Sequence, residues 1–333
     1  MPIIRRALST MSKRTFTLND GKVVPALAWG SGTSGIFGNA DLAVKAGVVA
    51  LEKGFKHVDT AQVYHTEEAV GQAVKKSGLD RKSLFLTTKI SEKLPSDREA
   101  IRKSVAASVE KLQSKPDLLI IHFPSVARDG DLGKFWTELE ELVLDGTLEG
   151  VSLGVSNFRP QDLEAILKVA RIKPTVNRTF QLYSSRYALI LCKELEYHPY
   201  VLTHLAPILK IGKEHNIITE SYGALTPILR HPTGGPLKPV LERIAQRLSK
   251  DTGKELDSTA VLILWTIQKG VIAVTTSKTD KRIESLVAID DLPDLTAEEV
   301  KEIEEVGSKV HFRHYTEHVT TDFPNPDLPD GTQ

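Results

Sequence analysis

Gly54-Phe-Lys-His-Val-Asp-Thr-Ala-Gln-Val-Tyr64 lies between two helical patterns and reads as a short strand, His57-Val58-Asp59, handing over to a loop that carries Tyr64. The run before it, Ala40 to Lys53, closes on Gly54, a usual helix stop. Leu84-Phe-Leu-Thr-Thr-Lys89 repeats the plan with a lysine at the carboxyl end of the strand, and Asp117-Leu-Leu-Ile-Ile-His122 repeats it with a histidine. An acid, a phenol, an amine and an imidazole at the carboxyl ends of successive parallel strands converge on one mouth of a barrel, the face on which such folds carry chemistry.

Working outward, Thr15 to Val24 reads as a hairpin turning at Asn19-Asp20-Gly21. Pro25-Ala-Leu-Ala-Trp-Gly30 is a first barrel strand ending in Gly30-Ser-Gly-Thr33, where glycines admit either a close cofactor or an ordinary loop. Glu67 to Lys76 is an amphipathic helix, and Ser96-Asp-Arg-Glu99 reads as a capping box opening a helix that runs to about Gln113. Gly133 to Asp145 is a helix, Val151 to Ser156 a strand, and Pro160 stands in the first turn of the next helix. Thr175-Val-Asn177 is a sixth strand, Ile217 to Tyr222 a seventh and Val271 to Thr276 an eighth. Helices are expected over 240–250, 258–268 and 280–287, with Thr296-Ala-Glu-Glu299 capping a last one. Strand and helix thus alternate about every 30 to 40 residues, the mark of repeated βα units.

Lysine plus arginine and aspartate plus glutamate both number 43 in 333 residues, so no charge excess points to nucleic acid or an anionic membrane surface. Cys192 is the single cysteine, which excludes an intrachain disulfide and fits a reducing compartment, here read as the cytoplasm. No apolar run reaches transmembrane length. The first eleven residues are basic, hydroxylated and free of acids; the favoured reading is an untidy N-terminus rather than mitochondrial targeting. No Gly-x-Gly-x-x-Gly turn follows a strand, which argues against a Rossmann dehydrogenase.

Asp59-Thr-Ala-x-x-Tyr64, Thr88-Lys89, Ile121-His-x-Pro124 and Gly154-Val-Ser-Asn-Phe158 together resemble the aldo-keto reductase family, in register from about Phe16 to about Leu286. The nearest likeness is to its fungal ketoreductases of conjugated polyketones and α-dicarbonyls. The resemblance implies one (β/α)8 TIM barrel domain over 1–333, with the barrel and its last helix at about 16–306. It also implies an N-terminal β-hairpin plugging the floor and a C-terminal tail beyond 307 bordering the substrate pocket. It implies NADPH as cofactor, a small-molecule carbonyl substrate, no metal, and a monomer or weak dimer. Tyr64 would be the acid, Lys89 its activating ammonium, Asp59 the holder of Lys89, and His122 the group orienting the carbonyl.

On the cofactor side the resemblance implies Gly30, Ser31 and Asp59; Ser156 and Asn157 at the carboxamide; Tyr222 stacked on the ring, with Ala224 and Leu225 beside it. Ser277, Lys278 and Arg282 would take phosphate, where a hydroxyl, an ammonium and a guanidinium suit the 2′-phosphate of NADPH. Taken one at a time, each residue has a structural alternative: a turn aspartate, a packed tyrosine, a solvated lysine, a core histidine. A regulatory nicotinamide-binding barrel and a phosphate-binding isomerase or aldolase barrel also stay open. Two departures from the family pattern stand out. Gly32 occupies the place of a bulky indole, from which a more open pocket is expected. After Asn177, the run Arg178 to Lys193 interrupts the family register, so the glutamine expected at this strand end has no secure counterpart.

Overall fold

The computed structural model describes residues 12–33, 35–178, 196–314 and 324–333. Strands β1 (Thr15–Thr17) and β2 (Val23–Pro25) pair antiparallel, with Phe16 opposite Val24. Leu18 and Val24 of this hairpin pack with Phe85, Leu118, Val176 and Ile272, the first residues of four barrel strands, and with Ile120. The expected floor plug is therefore present, and it seals one end so that chemistry is confined to the other.

The barrel runs β3 (Leu27–Gly30), α1 (Ala40–Lys53), β4 (His57–Asp59), α2 (Glu67–Ser77), β5 (Phe85–Ile90), α3 (Arg98–Leu112), β6 (Leu118–Ile121) and α4 (Leu132–Leu144). It continues with β7 (Ser152–Ser156), α5 (Pro160–Leu167), β8 (Val176–Arg178), α6 (Leu202–His215) and β9 (Ile218–Ser221). The short α7 (Thr226–Leu229), α8 (Leu237–Thr252), α9 (Ser258–Gln268), β10 (Ile272–Thr275), α10 (Asp280–Val287) and α11 (Ala297–Gly307) complete it. The strands close in the order β10-β3-β4-β5-β6-β7-β8-β9, and every barrel pairing is parallel. This is the (β/α)8 architecture that the sequence led us to expect, and the aliphatic faces of its helices wrap the sheet in one continuous core.

Local chemistry explains most element ends. Gly54 at φ 124° stops α1 and takes the bonds of its last turn, and Thr296 with Glu299 forms the expected capping box on α11. The cap of α3 differs from expectation: Asp97, not Ser96, accepts the Ala100 amide, because the Ser96 hydroxyl is drawn away to Asp129 at 2.6 Å. Helix α6 has no counterpart in the sequence reading; Pro207 and Gly212 mask its period, yet its His204, Leu205 and Ile208 face are buried. Strand β8 extends one residue further than the pattern shows and ends on Arg178. The remainder of the unusual run, 179–193, lies outside the described residues, as do 1–11. Among the described residues no helix is long and apolar enough to cross a membrane.

Candidate active site

Asp59 closes β4, and the chain then makes a single 3₁₀ turn, Gln62–Tyr64, ended by His65 in the left-handed conformation. That turn swings the Tyr64 ring back over the barrel mouth. Lys89 comes from the end of β5 and His122 follows β6, so parallel pairing sets the side chains side by side. All four are fully buried. Lys89 Nζ donates to both Asp59 oxygens, at 2.9 and 2.8 Å, and to the Thr60 carbonyl at 2.5 Å. The same ammonium stands 4.9 Å from the centroid of the Tyr64 ring. The His122 ring meets Tyr64 edge-on at 5.6 Å and stacks on Phe123 at 4.1 Å. Its Nδ1 lies 2.6 Å from the Ser91 hydroxyl.

Two charged residues join this set that no sequence motif singled out. Arg178 Nη1 donates to Asp59 Oδ2, and its Nε lies 3.3 Å from Glu220 Oε1 in β9. Both side chains are fully buried. Burial opposes ionisation of Asp59, but Arg178 and Lys89 together outweigh it and hold the carboxyl below the usual carboxylate range. Burial pulls Lys89 down to about 7, with Arg178 adding to the fall and Asp59 resisting it. Burial pushes Glu220 up to about 7, against the pull of Arg178. Burial likewise drives His122 well below the imidazole range, helped by Lys89 and Arg178, so the ring is neutral. His57, one strand layer below, is held down to about 4 by burial, with Nε2 2.9 Å from the Thr87 hydroxyl.

Beside the mouth a groove of about 370 Å³ runs between the loops after β9 and β10. Its lining includes Tyr222, Ala224, Leu225, Ser277, Lys278 and Arg282. Six of the residues expected at the cofactor thus share one groove. Trp29 sits beneath them, buried, its indole N–H donating to the Ser277 carbonyl at 3.1 Å and so tying β3 to the loop that opens α10. A narrow recess of about 30 Å³ continues toward Gly30, Asp59 and Arg178 under Tyr222. At Gly30 a Cβ would come within 3.1 Å of Val274, so a side chain there would crowd the wall of the recess.

Ser31, Gly32, Ser156 and Asn157 do not line that groove. Ser31 does not face the groove: its hydroxyl bonds Thr60 and Thr66 at 3.0 and 2.8 Å, and its amide bonds the Asp59 carbonyl. Ser156 and Asn157 sit by His122 rather than in the groove wall, with Asn157 Nδ2 donating to the His122 carbonyl at 2.9 Å and to Ser156 Oγ at 3.0 Å. Gly32 lines the narrow recess and lies against Tyr64, where a Cβ would come 2.8 Å from the phenol ring. Arg178 could have been noticed as the residue following Val176-Asn177 at a strand end, but its partner Glu220 is adjacent only through the β8–β9 register.

The fold and this polar mouth define a (β/α)8 barrel protein with a groove at its carboxyl face. The chain belongs to the aldo/keto reductase family, whose model matches residues 27–308. It is 33% identical to an NADPH-dependent alpha-keto amide reductase of Saccharomyces cerevisiae, over 88% of this chain and 90% of that protein. It is 30% identical to an NAD/NADP-dependent indole-3-acetaldehyde reductase of Schizosaccharomyces pombe, over 90% of this chain and 97% of that protein. Among solved structures, an aldo/keto reductase from Brucella melitensis superposes with a TM-score of 0.69 at 29% identity, covering 88% of this chain and 98% of its own.

Proposed function

We propose that this protein reduces small aldehydes, ketones and α-dicarbonyls to alcohols with NADPH, using Tyr64 as the general acid. The observation that carries the reading is the Asp59–Lys89 pair buried under the Tyr64 ring, with His122 alongside. A free phenol, with its pKa of about 10, is a poor acid at neutral pH. An ammonium held at its edge favours phenolate and so strengthens it as a donor. Asp59 keeps Lys89 aimed, and the Thr60 carbonyl fixes the third ammonium hydrogen.

The groove fits the cofactor on the chemistry of its donors. Ser277, Lys278 and Arg282 place a hydroxyl and two cations around the start of α10, as a ribose phosphate requires, and Tyr222 offers a ring face beside the recess that leads to Asp59. NADPH, when bound, supplies a hydride to the carbonyl carbon. Tyr64 releases its proton to the carbonyl oxygen as that oxygen gains charge, and Lys89 steadies the resulting phenolate. The Ser91 hydroxyl pairs with Nδ1, and the tautomer in which Ser91 is the donor carries the His122 proton on Nε2, the form that would donate to the carbonyl oxygen and align it. The relatives named above act on a keto amide and an aldehyde, which supports a carbonyl substrate of this size.

The test is NADPH oxidation against a panel of aldehydes, diketones and keto-lactones, with NADPH binding titrated by fluorescence. Turnover of at least one carbonyl class is expected. Stoichiometric binding with no turnover on any of them would instead favour a regulatory nicotinamide-binding role.

A further inference from the structure

Among the described residues, the mouth of the barrel holds a cation that the proposed chemistry does not use, Arg178. Arg178, at the end of β8, reaches across the barrel to the same Asp59 oxygen that Lys89 holds at 2.8 Å. Its other side rests against Glu220, its direct neighbour in the β8–β9 register. Asp59, Lys89, Arg178 and Glu220 are all essentially excluded from solvent, so their charges act on each other with little screening. An arginine stays charged across the whole working range, whereas Lys89 and Glu220 do not.

We propose that Arg178, braced by Glu220, is a positioning residue for the reduction: it fixes Asp59, competes with Lys89 for it, and thereby sets the alkaline limit of carbonyl reduction. This rests on the reading of Tyr64 as the acid. Among the described residues, the charged and titratable groups around the pair include His57 and Asp59 of β4, Tyr64, Lys89 of β5, His122, and Glu220 of β9. His57 and His122 are neutral through the range in question, which leaves Lys89, Tyr64 and Glu220 to respond. The guanidinium disfavours the ammonium of Lys89 and favours the phenolate of Tyr64. Both effects act in one direction: each makes the proton-bearing form of the site disappear at lower pH. Removing the guanidinium must therefore extend activity to higher pH, at the cost of a weaker acid on the plateau. Removing the Glu220 carboxylate acts the opposite way, since its charge supports the Lys89 ammonium.

The experiment is the pH profile of kcat/KM for NADPH-dependent reduction in the wild type, Arg178→Gln, Arg178→Lys and Glu220→Gln, with thermal unfolding and NADPH Kd measured on each. In Arg178→Gln the alkaline midpoint is expected to rise by about one pH unit, and in Arg178→Lys to return toward the wild type. Glu220→Gln is expected to lower it, which keeps the idea testable if Arg178→Gln fails to fold. An unmoved midpoint in folded variants overturns the proposal. So does a raised NADPH Kd with an unchanged midpoint, which would make Arg178 a cofactor contact. An inactive wild type across the whole carbonyl panel would defeat the functional reading itself, whereas an active wild type with unmoved variants defeats only the role of Arg178.

Discussion

Tyr64 and Lys89 are separated by a strand and a helix in sequence and by 4.9 Å from ring to ammonium in space. Replacing Tyr64 by Phe removes one oxygen from a buried ring, so the fold and NADPH binding should persist while kcat falls by about 10²- to 10⁴-fold. Unimpaired turnover would remove Tyr64 from the mechanism. Lys89→Met should lower kcat comparably, leaving an unassisted phenol over a buried, partly unpaired carboxylate. Gly32 is a sharper case. Its missing Cβ leaves room for the phenol, so Gly32→Ala should push Tyr64 from its place and reduce kcat with little change in NADPH Kd. His57 speaks to stability rather than turnover. In the unfolded chain its pKa is about 6.5, while in the fold burial holds it down to about 4. Between those values the unfolded state takes up a proton that the folded state refuses, so stability is lost as pH falls through that window. The size is on the order of 3 kcal/mol. Denaturant melts at pH 7 and pH 4.5 should show that loss, and His57→Gln, though weaker at pH 7, should lose less on acidification.

At the scale of elements, the loop from β10 into α10 carries the groove. Ser277 is fixed from below by the Trp29 indole, while Lys278 reaches out over the groove to Gly35, its Nζ 3.6 Å from where a Cβ would stand there. Arg282 projects from the first turns of α10. Lys278→Ala and Arg282→Ala should each weaken NADPH by about 10- to 100-fold, the worth of a charge-assisted contact of roughly 1.5–3 kcal/mol, and NADH much less. Equal losses for both cofactors, read by fluorescence titration, would mean that the two cations serve the shared pyrophosphate or the fold. These elements were legible in the sequence because each ends with a local signal: Gly54 after α1, Pro160 at the start of α5, Thr296 and Glu299 on α11. Helix α6 was not, since its proline and glycine break the period and only tertiary burial reveals its face.

For the whole molecule, the motif residues at the mouth could be read because each lies at a strand end, where parallel pairing fixes its level. The Arg178–Glu220 pairing could not, because it depends on which strands become neighbours and on β8 running one residue further than its pattern. That extra residue separates two deletions of the unusual run. Cutting 179–193 preserves Arg178 and is expected to leave a folded barrel with carbonyl reductase activity, as loop length costs little in closure entropy. Cutting Arg178 to Lys193 brings Glu194 in after Asn177, replacing a cation by an anion between Asp59 and Glu220. Three carboxylates around one lysine should impair both stability and kcat relative to the shorter cut. Equal behaviour of the two deletions, in melting temperature and activity, would show that Arg178 matters little.

The seam where β10 bonds β3 has a further consequence. It joins the first barrel strand to the last, with Ala273 beside Leu27 and the Trp29 indole latched under Ser277. A chain emerging from the ribosome therefore carries its amino-terminal hairpin and most of its mouth residues well before it can close the ring, and the hairpin gains its contact with Ile272 only when β10 is made. The groove draws on Thr33 and on residues between Tyr222 and Arg282, so a fragment that stops before β10 lacks it. On the proposed function, NADPH in that groove would bind the closed ring alone and would draw late-folding chains toward it by mass action, acting as a fastener on newly made protein as well as a reagent.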